Sequence, residues 1–351
     1  MTNARRRTLL ILGSAALIFG LLSGYAVWRR AAEGLPRYTP EVFLPGFTEA
    51  AGNAARIEIA GPAGTFTVIR ESATGWVLDR GNFPADFDEI RRTLISLAQL
   101  TTIAPKTERP DWLTHLSLGT PPAGNGTLVT VKNAQGAILA QLIVGTQIDL
   151  GDVNGAKGLF VRHPGENRAY LARAVFPVRG DIGSWMSKQM ALIGPARLQA
   201  VAVTPATGPG FTVSRPTAND PVTLQGLPAG VQPDFQLVNE IGFAIATFAP
   251  SDVRVANGMD FTGAARIVAR SFDGLAVTFD IVRRPDGIWS RLSAAGTAQA
   301  ADINARAGGF VFRLPEEKGR VLLVDRQRML TPPPQRAREG VMPGSAPAAA
   351  P

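Results

Sequence analysis

Cysteine is absent from this 351-residue chain, and histidine occurs only twice. The first absence removes disulfides, thiolate nucleophiles and thiolate metal sites together. The second starves a zinc centre, which needs three or four ligands: His115 and His163 would have to converge from distant segments and recruit carboxylates. Acidic side chains are missing from the first thirty positions, which hold Arg5, Arg6, Arg7, Arg29 and Arg30. The formal charge of +8 is therefore concentrated at one end, and the remaining chain is nearly balanced. Basic runs are lacking beyond pairs such as Arg91-Arg92 and Arg283-Arg284, so there is no stripe for a nucleic acid. A Gly-x-Ser-x-Gly elbow is lacking as well.

The near misses fail on chemistry. Asp149, Asp152 and Asn154 with Gly155 have the look of a calcium loop, but counting from Asp152 the last position is His163, where a bidentate glutamate is required. Gly151 to Lys157 imitates a phosphate loop, yet Ala156 stands where the glycine belongs, Gly158 replaces the Ser or Thr, and a strand follows instead of a helix. Ser184 reads as the N-cap of a helix from Trp185 to Leu192. The expectation is a protein that is not an enzyme, with no cofactor and no metal.

What is present begins with an uncharged apolar run, Thr8 to Trp28, bounded by arginines on both sides. At about 1.5 Å per helical residue it crosses a hydrocarbon core of roughly 30 Å. A cleavable signal would be shorter and end in a small-x-small site; Gly24-Tyr25-Ala26 is the nearest match. The reading is an uncleaved anchor with its N-terminus inside and the bulk of the chain outside the inner membrane, in the periplasm of a two-membrane cell. Ala16, Gly20 and Gly24 fall four apart, a small-xxx-small pattern through which two spans could associate.

The length beyond the anchor suits two domains, and the sequence repeats itself at that scale. Arg56–Glu71 and Arg197–Arg215 are hairpin patterns around glycine-rich turns. Each is followed by a helix start, at Asp86 and Asp234. One apolar stripe runs through Phe87, Ile90, Leu94, Leu97 and Leu100, the other through Phe235, Val238, Ile241, Ile245 and Phe248. Ala104-Pro105 and Ala249-Pro250 end them, and second hairpins follow at Leu128–Val144 and Ala265–Val282. The expected fold class is α+β: a single N-terminal transmembrane helix, then two duplicated hairpin-helix-hairpin modules with mainly antiparallel sheets. The expected divisions are head and anchor 1–30, stalk 31–55, first module 56–180, second module 181–330, and a Pro/Ala-rich disordered tail 331–351.

Trp76, Phe83-Pro84-Ala85-Asp86, Leu116-Ser117-Leu118-Gly119-Thr120-Pro121, Leu142-Ile143-Val144-Gly145 and Gly158-Leu159-Phe160-Val161-Arg162 together resemble the uncharacterised bacterial family called domain of unknown function 4340. The likeness spans about residues 55 to 320, and Leu116-Ser117-Leu118-Gly119 stands where the commoner form has Tyr-Gly-Leu. It implies one N-terminal span and, for some members, association with auxiliary components of ABC-type transport systems; it implies no catalytic residue. The functional expectation is an extracytoplasmic scaffold or transport accessory acting by protein contact, with the membrane and ABC-type transporter subunits as partners and no nucleic acid. The alternative is a module that holds a lipid, glycan or peptide between the two copies. Trp289, near a hairpin tip after Pro285-Asp286-Gly287, is the candidate partner contact.

Overall fold

A computed structural model describes residues 20, 22–25, 38–72, 75–151, 157–188 and 193–330. Among these no helix is long and apolar enough to cross a membrane. Most of Thr8–Trp28 lies outside the described residues, as do Ala16 and the tail 331–351.

The body is mixed α+β with two antiparallel sheets. The first follows from the predicted hairpins: β1 (Arg56–Gly61) pairs with β2 (Gly64–Arg70), and β6 (Thr127–Lys132) with β7 (Ile138–Asp149). Around them lie β3 (Trp76–Leu78), β4 (Phe83–Pro84), β5 (Thr101–Pro105), β8 (Lys157–Arg162) and β9 (Ala169–Ala174), in the order β4-β3-β2-β1-β6-β7-β8-β9-β5. The second sheet uses β10 (Leu198–Thr204), β11 (Phe211–Ser214), β12 (Thr223–Leu224), β13 (Asp252–Val255), β14 (Ala265–Ser271), β15 (Ala276–Arg284), β16 (Gly287–Ala295) and β17 (Phe310–Leu314). Its order is β12-β11-β10-β14-β15-β16-β17-β13, strand for strand that of the first sheet without β4.

Eight α-helices follow Tyr38 among the described residues: α1 (Phe47–Ala50), α2 (Phe87–Ala98), α3 (Pro110–Leu113), α4 (Ile182–Trp185), α5 (Phe235–Ala246), α6 (Ala298–Ala307), α7 (Glu316–Leu322) and α8 (Arg326–Met329). Their caps repeat between the halves. The Asp86 carboxylate accepts from the backbone of Asp88 and Glu89, and that of Asp234 from Leu237. Asp181 and Asp325 cap the four-residue helices α4 and α8 by accepting from Ser184 and Arg328. The carbonyls of Trp185 and Met329, which end those helices, accept from the amides of Asp86 and Asp234 at 2.8 Å each. Satisfying otherwise orphaned first-turn amides is what fixes each helix start. Ser184 is thus not the cap expected of it: Asp181 has that role, and the Ser184 hydroxyl donates to it at 2.7 Å.

Strict alternation places one face of each sheet inward. Ile57, Ile59, Val129, Val131 and Leu142 meet Ile90, Leu97 and Leu100 of the α2 region; Val201, Ile267, Val277 and Phe279 meet Val238, Ile241 and Ile245 of α5, all of them buried. These belong to one continuous core across both modules. The segment expected as a stalk joins that core from its second half onward: Phe43, Leu44, Phe47 and Ala54 are buried. Their apolar side chains, spaced through a proline-rich stretch without periodicity, gave no strand or helix signal.

Candidate functional site

The two modules meet end to end through aromatic packing. Phe83, at the β4 edge of the first sheet, points its ring edgewise at Phe310 and Phe312 of β17, with centroids 5.1 and 5.7 Å apart. Phe83 and Phe312 are fully buried. Arg80 adds a 3.7 Å ion pair to Asp252. Gly81, at φ 74 in the left-handed region, suits this contact, because an added Cβ would collide with the Val255 side chain. The space between the modules is filled here by Phe83.

Residues quoted for the family resemblance converge on the outer face of the first sheet. The chain between β5 and β6 folds over that face and buries Leu113 and Leu118 against Ile143. Gly145 has no room for a side chain, since a Cβ there would strike the Leu116 carbonyl oxygen. Arg162, 4% exposed, clamps the arrangement: its guanidinium donates to the carbonyls of Leu118 (2.7 Å) and Glu166 (2.8 Å) and to the Thr120 hydroxyl. Burial holds its pKa below the ordinary arginine value. This is a structural lock, built from carbonyl acceptors instead of a carboxylate.

The outer face of the second sheet has its own cover. Residues 256–264 lie over Trp289, which packs with Phe261 and Val311. The indole is fully buried; its N–H donates to Asp286 at 3.1 Å and Arg254 stacks above it at 4.3 Å. Trp289 is therefore not available as the partner contact expected from its place near the hairpin tip, because the loop ahead of β14 folds back on it. Hydrogen bonds from Arg254, then Trp289, hold the Asp286 carboxyl below the usual range. Farther along the same face, Asp280 lies between Arg266 and Arg291 at 2.8 and 2.9 Å. Burial alone would raise its pKa, but the two guanidiniums outweigh it and the carboxyl is lowered. Beyond this, Ala200, Ala202, Thr212, Ser214, Gln225, Val268 and Arg270 line an open trough of about 550 Å³.

Among the exposed large apolar side chains, two pairs stand on the long helices. On α2, Phe87 is 47% and Ile95 36% exposed; on α5, Phe235 is 57% and Phe243 63% exposed. Both pairs occupy the first and ninth positions of a twelve-residue helix. Phe87 and Phe235 were expected on the buried stripes. Helical side chains lean toward the N-terminus, so a ring at the first position is carried past the helix start and away from the rest of the stripe.

The histidines serve packing: His163 stacks on Phe43 at 4.2 Å and His115 meets Trp112 edgewise. Among the described residues, no three His, Asp or Glu side chains gather as metal ligands. Residues 152–156 of the calcium-like loop lie outside the described residues, while Asp149 accepts from the Gly151 amide and pairs with Lys157 at 3.3 Å. Gly20 and Gly24 are helical and exposed.

Glu89 is buried on α2, and this desolvation raises its pKa against the opposing influence of Lys188, Arg179 and Arg92. The folded state holds its proton more tightly than the unfolded chain, so the associated stability is full in acid and is lost as pH rises through the raised value. Glu89→Gln should consequently raise the thermal midpoint at pH 7 by an amount worth about 1 kcal/mol or less. The gain should vanish as the pH falls toward about 4. Calorimetry of both proteins across that interval checks it; a gain that grows in acid has the sign wrong.

Comparison with curated proteins finds no match, and neither does comparison with solved structures. A family model does match, over residues 76–240, from β3 through the junction residue Phe83 and the Arg162 lock to the middle of α5. That region holds both of the helix caps at Asp86 and Asp234 and every motif quoted from the first module, and it is residues 76–240 that match the family described as domain of unknown function (DUF4340).

Proposed function

We propose that this chain is a membrane-anchored extracytoplasmic accessory protein, built from two duplicated modules, that works by binding another envelope protein through the outer faces of α2 and α5. The observation that carries this is the matched exposure of Phe87 and Ile95 on one helix and Phe235 and Phe243 on the other. Large apolar side chains left in water at equivalent places on two elements fit a contact surface better than an active site. The duplication is supported by the shared strand order and by the paired caps at Asp86 and Asp234 and at Asp181 and Asp325. The anchor rests on the run Thr8–Trp28, and a transport complex of the ABC type is the kind of assembly the family likeness points to. A ligand held between the modules is the weaker reading, because Phe83 sits in the space it needs.

The test is capture from native membranes with the tagged full-length chain. Wild type should recover a membrane protein, and the variant F87S/I95S/F235S/F243S should lose at least about ten-fold of it, since apolar anchors at interfaces are each worth about 1–2 kcal/mol or more. Equal recovery by both proteins, or recovery of lipid alone, would sink the proposal.

A further inference from the structure

Each module has a leading end, where the strand after its long helix runs beside the last strand of the sheet: β5 with β9 and β13 with β17. At both ends an aromatic ring from an earlier part of the chain lies edgewise on the residue of the final strand pair. In the second module that residue is Phe310, opposite Val255, and the ring is Phe83. In the first it is Tyr170, opposite Pro105, and the ring is Phe43, at 5.9 Å and 68°. The short segment Tyr38–Leu44 thus fills, for the first module, the place that a whole module fills for the second.

It does so as an added strand. The Phe43 amide donates to the Leu100 carbonyl and the Thr102 amide to the Glu41 carbonyl, both at 2.8 Å. Val42 and Thr101 face each other between these bonds as a non-hydrogen-bonded antiparallel pair. The Thr102 hydroxyl accepts from the Glu41 amide (3.0 Å) and from the Tyr38 hydroxyl (2.6 Å), and the Phe43 ring stacks on His163. After Leu44 the chain turns through Pro45 and Gly46, the latter at φ 79, before α1 begins.

We propose that this edge is a strand-acceptor site and that two copies of the chain exchange their Tyr38–Leu44 segments across it. The contacts made by the segment would be the same in either copy, so exchange demands only extension of the Pro45-Gly46 hinge and proximity of the second copy. On the membrane-anchored reading, two chains share one plane, which raises the chance that a neighbour's segment reaches the acceptor edge. Extended-strand addition with one aromatic side chain in a slot is an established mode of recognition between chains.

The absence of cysteine makes the test clean. Two full-length chains with different tags are expressed together, one carrying Val42→Cys and the other Thr101→Cys. Close Cβ atoms in such a pair admit a disulfide. A chain with both substitutions should close internally and confirms the geometry. The mixed pair should yield a covalent heterodimer, at least about ten-fold above the background set by replacing the Thr101→Cys chain with a Gln135→Cys chain, and adding Phe43→Ser to the Val42→Cys chain should remove most of it. A mixed pair that never rises above background while the double variant closes internally overturns the exchange. Failure of the double variant to close overturns the acceptor site itself.

Discussion

Replacing Arg162 by leucine should cost the fold about 3 kcal/mol and lower the urea midpoint by about 1 M. The guanidinium is 4% exposed and satisfies the carbonyls of Leu118 and Glu166 together with the Thr120 hydroxyl. Each acceptor left buried without a donor loses about 1–3 kcal/mol, and part of that is returned because a desolvated cation without a carboxylate partner has been removed. Lysine should rescue less than half: its ammonium is a single point on a flexible stem and cannot reach acceptors spread around a planar fork. Equilibrium unfolding of the three proteins decides the matter. A leucine variant within about 0.5 kcal/mol of wild type would show that the loop holds itself in place without the lock.

Phe83→Ala should be at least as damaging, at about 4 kcal/mol, and should also change how the protein unfolds. Wild type shares one core between the modules and is expected to melt in a single transition. The ring of Phe83 carries the aromatic part of their junction, so its loss should separate the melt into two transitions. Phe66→Ala provides the comparison, since Phe66 is also buried but packs behind the first sheet against Trp185, away from the junction with β17. It should lower the midpoint by a similar amount without splitting it. Scanning calorimetry distinguishes the outcomes; a single transition in Phe83→Ala contradicts the junction assigned here.

Much of this architecture could be read from residue order. Alternation over Arg56–Glu71 and Ala265–Val282, with glycine turns between, specified hairpins, and both formed around those turns. Asp86 and Asp234 each preceded an apolar stripe, and both are caps. What sequence left hidden was contact between distant segments. Nothing in Phe43 or Phe83 marks them as rings that close the ends of sheets, since their partners Tyr170 and Phe310 lie more than a hundred residues away. Trp289 misled because a hairpin tip is normally exposed, and only the fold of residues 256–264 covers it. Arg162 is visible as part of the motif but not as a clamp, because two of its acceptors are backbone carbonyls, which every residue possesses, and the third is a distant threonine hydroxyl. Spacing alone puts Phe87 and Phe235 on the inward stripes, yet both stand at the first position of their helices and are exposed.

The outer faces of α2 and α5 are the surface proposed to meet a partner. Photoreactive side chains placed singly at Ile95, at Phe243 and at Arg270 in the open trough of the second sheet, in the full-length chain in native membranes, test it most directly. Irradiation should join the same envelope protein to positions 95 and 243 and leave position 270 unjoined. Crosslinks from position 270 alone would contradict it and move the working surface to the trough.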